Sequence, residues 1–429
     1  MGPSRHDKSK PLTSIEVCAG AGGQAIGLHE AGFKHLALLE IDKYAAQTLG
    51  HNRNKQKWQE CAVLDEDLRE FKDGRVRSVL GKNEPSGEGD AREPELDLLA
   101  GGVPCPPFSV AGHQLGGEDE RDLFPDMARL VKEIRPRALM IENVRGIMDP
   151  KFDDYCADFV EGLQQEGYWF CGWHLLEAKN FGVPQLRPRA ILVAIREDER
   201  QRAGLGQDDF PWPVGVDAKT VGVFETLKVS MRRRRDVLKK RFPEMADAIK
   251  AAYAQWEKKA KHNPGVAPTL VGGSKKHGGA DLGPSRAKRA WKAYGVDANG
   301  VAEEPEQTRD VVRDFLRPDG PMLTVSQAAL IQGFPVGWEF VGGKTAKYRQ
   351  VGNAFPPPVA MAVGRAIASV LVPECKQEHL DGLVTRPLGA RRGTREFTQT
   401  EIGGLLAGPR SAGSTSAADL DEDLVGAGV

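Results

Sequence analysis

Ser14-Ile15-Glu16-Val17-Cys18-Ala19-Gly20-Ala21-Gly22-Gly23 decides the reading of the fold: an apolar run ends in a glycine-rich turn, and the residues beyond it read as helix as far as Gly32. Strand, tight turn and helix in that order open a nucleotide-binding sheet. Glycines let a ligand approach the backbone, and the free N–H groups at a helix start favour polar or anionic groups. An ordinary tight turn uses the same residues, so the neighbouring segments have to decide. A second apolar run, His35 to Leu39, ends at Glu40, where such sheets carry an acid for ribose hydroxyls, and an adenosine-bearing ligand is expected.

The alternation continues downstream. Leu98 to Gly101, Ala138 to Ile141 and Ala190 to Ile195 read as further strands. Between them Phe124, Met127, Leu130, Val131 and Ile134, then Phe152, Tyr155, Cys156, Phe159, Val160 and Leu163, recur at helical spacing, which marks packing faces and makes Cys156 a core residue. The expected class is α/β, a Rossmann-like, largely parallel, doubly wound sheet with a smaller variable domain. Such sheets build their sites beyond the carboxyl ends of their strands. In Pro104-Cys105-Pro106-Pro107-Phe108-Ser109 prolines on both sides of Cys105 restrict the backbone and present one thiol in one orientation. A lone cysteine is more often buried packing, but the segments around this one favour reactivity. Glu142-Asn143-Val144 places a carboxylate at the next strand end, and in Gln185-Leu186-Arg187-Pro188-Arg189 two arginines share one face at strand spacing.

Length and charge bound the rest. A chain of 429 residues exceeds one typical core, so about two domains plus tails are expected. A net charge of -1 neither demands nor excludes a nucleic-acid partner. Six scattered cysteines without a Cys-x-x-Cys pair, and no secretory signal, point to a reducing cytoplasm and against a disulfide framework or a zinc knuckle; no metal is expected. No apolar run is read as long enough to span a membrane.

The order of these segments resembles that of the DNA (cytosine-5)-methyltransferases of bacterial restriction-modification systems, from about Ser14 to Ile195 and again from about Met322 to Ile367, where Gln332-Gly333-Phe334-Pro335 and Gln350-Val351-Gly352-Asn353-Ala354 match the last motifs. The resemblance implies S-adenosyl-L-methionine as cofactor, held by Cys18, Ala19, Gly20, Gly22, Gly23, Glu40, Ile41, Asp67, Leu68, Pro104, Leu123, Asn353 and Phe355. It implies that Cys105 is the nucleophile, that Glu142 binds the cytosine edge, and that Arg187 or Arg189 supplies positive charge to the thiolate. Departures are Cys18 where phenylalanine is usual, Pro106 for glutamine, and Ser326, Gln327 and Leu330 where arginine, glutamate and arginine are common; the last three leave open how the second domain is braced.

The implied organisation is a disordered N-terminus (1–12), a catalytic and cofactor-binding domain (13–198), a target-recognition domain (199–320), C-terminal motifs returning to the first domain (321–373) and a disordered tail (374–429). In the target domain Arg232 to Arg235, Lys239-Lys240-Arg241 and Lys258-Lys259 are assigned mainly to phosphate contacts, and Arg286, Lys288 and Arg289 to groove contacts. The expected function is methylation of carbon 5 of a specific cytosine in double-stranded DNA, by covalent addition and base flipping, in a monomer acting on the nucleoid beside a restriction endonuclease of the same site. The alternatives are an RNA cytosine-5-methyltransferase and a catalytically silent DNA-binding regulator. The basic insertion favours DNA, and the presence of Cys105, Glu142, Arg187 and Arg189 favours an active enzyme.

Overall fold

Alternation along the central strands divides the core in two, because successive side chains point to opposite faces of a sheet. The computed structural model describes residues 11–56, 58–81, 95–104, 122–272 and 280–387. Seven strands, β1 (Leu12–Val17), β2 (Phe33–Leu39), β3 (Ala62–Leu64), β4 (Leu98–Gly101), β5 (Ala138–Val144), β6 (Tyr168–Glu177) and β7 (Pro188–Arg196), form one sheet in the order β3-β2-β1-β4-β5-β7-β6. The first five pair in parallel, and β7 runs antiparallel to both β5 and β6. Leu98, Ala100, Ala138 and Met140 pack toward one layer, while Leu99, Leu139 and Ile141 pack toward the other.

Helices α1 (Gly23–Glu30), α2 (Lys43–Arg53), α3 (Asp73–Gly81), α4 (Phe124–Ile134), α5 (Asp153–Gln165) and α6 (Glu197–Arg202) fill the connections. The second unit follows a strand, β8 (Pro211–Val216), and contains α7 (Val223–Arg241), α8 (Ala246–His262), α9 (Ser285–Ala293) and α10 (Val311–Asp314). The chain then returns through α11 (Val325–Gln332), α12 (Lys344–Asn353), α13 (Pro357–Leu371) and α14 (Lys376–Leu380) to β9 (Leu383–Pro387). Trp256, Trp291, Leu227, Met231, Ile331 and Tyr348 share a third core that joins the second unit to the returning helices.

Four expectations change. The chain keeps regular structure past residue 374, since α14 is followed by β9, which pairs antiparallel with β8 and so satisfies that strand's backbone. Of the expected disordered segments, residues 1–10 and 388–429 lie outside the described ones. The sheet-side unit does not end at 198: Phe210 and Trp212 are buried with α13, and Trp212 donates its indole N–H to the Cys171 carbonyl at 2.9 Å. At the other end, β1 already begins at Leu12. Finally, residues 344–371 are long and apolar enough to cross a membrane by composition, but 83% of the most apolar window is buried in the protein, and the stretch is two helices broken at Ala354 to Pro356.

Two buried polar groups lock this frame. Arg137, at the start of β5, donates to Glu199 of α6 at 2.7 Å and to the Leu371 carbonyl that ends α13 at 2.9 Å, and pairs with Asp97, which accepts from Thr13 of β1 at 2.7 Å. Inside β1, Glu16 is wholly buried beside Gln24 and lies 3.2 Å from His35 Nδ1. His35 Nε2 faces the Ala25 carbonyl at 2.9 Å, an oxygen that only accepts, so Nε2 carries the ring proton and Nδ1 accepts, with the Ser14 hydroxyl 2.8 Å away. Burial pushes the Glu16 carboxyl up to about 8 and the His35 ring down to about 3, so both groups are neutral in mildly acidic solution.

Arg137→Ala leaves Asp97 and Glu199 buried without their cation and is expected to cost about 3–5 kcal/mol, read from the urea unfolding midpoint. Since Glu16 titrates higher when folded than unfolded, its favourable contribution is complete below the usual carboxylate range and is lost as pH rises toward about 8. Wild type should therefore lose stability between pH 5 and 8 more steeply than Glu16→Gln, in paired unfolding titrations.

Candidate active site

In an open α/β sheet a crevice forms where strand order reverses, and here that point lies between β1 and β4. The turn after β1 is held in left-handed backbone at Cys18 (φ 51), Gly20 (φ 56) and Gly22 (φ 92), a conformation that costs a residue with a side chain and that glycine adopts freely. This geometry aims the Gly20 N–H at Glu40, which accepts it at 2.7 Å and accepts the Asp42 N–H at 2.7 Å through its other oxygen. Burial raises the Glu40 carboxyl, and these N–H donors oppose the rise. Burial, with Glu40, Asp67 and Asp126 close by, pushes the Cys18 thiol up, so the expected cofactor residues Cys18, Glu40 and Asp67 do converge.

The remaining expected cofactor contacts differ in kind. Ala19 is buried, its N–H donating to the Leu39 carbonyl at 2.9 Å, while Ile41 is 65% exposed at the mouth. Asp67 caps a one-turn helix through the Arg69 N–H, and the bond to Arg69 lowers its carboxyl. Leu68 is packed into the core, and its carbonyl accepts from Arg129 at 3.3 Å. Pro104 is exposed and Leu123 is half-buried at the start of α4.

The far end of the chain supplies the wall. A Cβ on Gly23 would lie 2.2 Å from the Phe355 carbonyl oxygen, and one on Gly27 would lie 2.3 Å from that of Pro357, so α1 and the start of α13 approach at a distance only glycine allows. The Phe355 ring itself is buried in the sheet-side core. Two residues that carry no local signal in the sequence, Thr48 and Asn52, dock α2 against α12 and the segment before it. Thr48 donates to Gln350 at 2.6 Å and accepts the Val341 N–H at 2.9 Å; Asn52 both donates to and accepts from the Glu339 backbone, at 2.7 and 3.1 Å. Asn353 ends α12 exposed, with Gly272 so close that a Cβ there would fall 2.0 Å from its side-chain oxygen.

Glu142 and Arg189 meet through strand register. Glu142 pairs with Ile191 across β5 and β7, which puts Arg189 on the same face at the diagonal position, and Arg189 Nε lies 2.7 Å from Glu142 Oε1. A Cβ on Gly102 would lie 3.1 Å from Glu142 Oε2 and 3.8 Å from the Cys18 carbonyl oxygen, so Glu142 borders the Cys18 turn across one glycine. Burial raises the Glu142 carboxyl, with Arg189 and then Arg187 acting against it. Asn143 donates to the Val103 carbonyl at 3.0 Å, anchoring the strand end that leads to Cys105. Cys105 and Pro106 lie outside the described residues.

Arg187 shares the face of Arg189 but not its partner. It is buried and donates to three carbonyls, Leu270 at 2.7 Å, Gly352 at 2.7 Å and Ala354 at 3.0 Å. Gln185 ties the same segments, accepting the Leu270 N–H at 2.7 Å and donating to Gln332 at 2.7 Å. The four-arginine run also divides. A helix with 3.6 residues per turn must turn one of four consecutive residues inward, so Arg234 is no phosphate contact: it is buried over Phe315 and donates to Met322, Asp314 and Gln327. Gln327, one of the departures, thus braces the second unit, and it also closes a capping box with Thr324.

The description C-5 cytosine-specific DNA methylase matches residues 12–369. Type II methyltransferase M.NaeI of Lentzea aerocolonigenes is 46% identical over 361 residues, covering 84% of this chain and 75% of that one; M.NgoMIV of Neisseria gonorrhoeae is 42% identical over 367 residues, covering 85% and 99%. Among solved structures, a DNA modification methyltransferase encoded in an E. coli prophage superposes with a TM-score of 0.53 at 19% identity, covering 84% of this chain and 99% of that one, a likeness of fold. With a partly buried ion pair between Glu142 of β5 and Arg189 of β7, a glycine turn beside it and this agreement along most of its length, the chain belongs to the C-5 cytosine-specific DNA methylase family.

Proposed function

We propose that this chain moves a methyl group from S-adenosyl-L-methionine to carbon 5 of one cytosine within a specific sequence of double-stranded DNA, as the modifying half of a type II restriction-modification pair. Glu142 carries the reading: a partly buried carboxyl, paired with Arg189, lies one glycine away from the turn that would hold the cofactor. That turn fits the donor's adenosine part, since Glu40 is oriented by two backbone N–H groups for a ribose and Ile41 is exposed for a flat ring. When bound, the donor supplies an electrophilic methyl on a sulfonium.

Carbon 5 of cytosine is too weak a nucleophile to take that methyl unaided. The Cys105 thiolate forms a bond to carbon 6, pushing an electron pair through the ring toward N3, where Glu142 supplies a hydrogen bond and a proton. Its raised carboxyl suits that role, because a carboxyl kept protonated is a donor at N3, whereas thymine and uracil present an N–H there and clash with it. Carbon 5, now an enamine carbon, accepts the methyl. Removal of its proton by a base then expels the thiolate and restores the ring. A free thiol titrates near 8.5, so the guanidiniums of Arg187 and Arg189 beside one carboxyl favour the thiolate. The target base has to leave the stack to reach Glu142, which costs about a few kcal/mol, offset by contacts to the surrounding duplex. The enzyme acts as a cytoplasmic monomer, with the companion endonuclease cutting the same sequence.

Cys105→Ala is expected to abolish transfer of labelled methyl groups to duplex DNA while leaving cofactor binding, measured by calorimetry, unchanged; residual turnover would remove Cys105 from the chemistry. Glu142→Gln keeps the shape but loses the transferable proton, and kcat should fall by about 10²- to 10⁴-fold in single-turnover assays. Transfer RNA offered in parallel is expected to stay unmethylated.

A further inference from the structure

The described arginines of the second unit are not equally available. In α7, Arg232 is exposed and forms no ion pair with a described residue, Arg233 pairs with Glu306, Arg234 is buried, and Arg235 pairs with Asp236 and stacks on Tyr253; Arg241, the last residue of the helix, donates to the Thr308 carbonyl. α9 is different. Ala287 and Trp291 bury one side of it, Lys288 is held by Asp281 at 2.8 Å and Lys292 by Asp319 at 2.7 Å. Arg286 and Arg289, three residues apart on the outer side, are exposed and form no ion pair with a described residue.

The mounting of α9 ties it to the catalytic edge. At its start a Cβ on Gly283 would lie 3.7 Å from Val271 and 3.9 Å from the Thr269 carbonyl; at its end the Tyr294 hydroxyl donates to Val266 at 2.9 Å, and Asn263 donates to Ala293 at 2.7 Å. Both ends therefore rest on the segment around 263–271, and Gln185 and Arg187 grip that segment at Leu270. Arg187 is in turn close enough to Glu142 and Arg189 to act on both charges. Anything α9 touches is thus held in register with the catalytic carboxyl.

We infer that α9 is the base-reading element of this chain, with Arg286 and Arg289 each engaging the edge of a guanine in the major groove beside the target cytosine. The inference rests on the duplex-methylation reading above. A helix with side chains is about 10–12 Å across and the groove about 12 Å wide. Guanine is the base whose O6 and N7 match a guanidinium's two parallel donors. Three helical residues advance about 4.5 Å, against about 3.4 Å per base pair, so the two guanines belong to neighbouring or next-neighbouring pairs.

The test uses the full chain, S-adenosyl-L-methionine and a duplex library randomised around a central cytosine, with methylated positions read by bisulfite sequencing. Wild type should yield one recognised sequence containing two guanines at that separation; no methylation of any duplex would sink the methyltransferase reading itself. Arg286→Ala and Arg289→Ala should each lose discrimination at one guanine by about 5- to 150-fold, with other positions unchanged. Arg→Lys versions should fail to restore it, because an ammonium lacks the fork. The inference is overturned if the alanine variants, folded by thermal melting, keep the wild-type sequence preference, whether methylation is uniformly weaker with a shallower salt dependence, as for phosphate contacts, or undiminished. Should either alanine variant melt early, the Arg→Gln pair replaces it under the same criterion.

Discussion

Where Arg187 donates decides how the rest of the site is arranged. Its guanidinium is buried and, among the described residues, bonded to no carboxylate; it gathers the carbonyls of Leu270, 83 residues away, and of Gly352 and Ala354, 165 and 167 residues away at the end of α12. A buried cation with only neutral acceptors is costly unless its terminal N–H groups find well-placed oxygens, so the two segments are held to the positions that supply them. Gln185 repeats the device from two residues earlier, on Leu270 and Gln332. The second unit, the last two motifs and the catalytic strand are therefore joined at one polar knot, and Glu142 stands beside it.

That knot shapes the electrostatics of the carboxyl. Burial favours the protonated form of Glu142 and the two guanidiniums favour the ionised form, with burial the larger effect. Arg189 supplies the direct pairing through sheet register, whereas Arg187 acts on Glu142 only through space and on the architecture through its bonds.

Much of this was legible in the chain. β1, β2, β4, β5 and β7 are buried on both faces and so appear as plain apolar runs, and the glycine turn, Glu40, Glu142 and the arginine pair declare themselves by position at strand ends. Other parts were hidden for definite reasons. β6 mixes polar and aromatic residues and carries an irregularity at Gly172. β8 contains Pro211 and Pro213, which argue against a strand until β9 arrives as its partner from about 170 positions later. Spacing gave the common direction of Arg187 and Arg189 but not their separate partners. Thr48 and Asn52 are ordinary helix residues until tertiary contact brings α2 and α12 together.

The glycine-to-carbonyl contact between α1 and the start of α13 links synthesis to activity. α1 leaves the ribosome within the first 40 residues, while the start of α13 that closes on it follows some 300 residues later, a delay on the order of tens of seconds at ordinary elongation rates. A chain interrupted between Glu142 and α13 has the strand that ends at Glu142 yet lacks the helix against which α1 closes.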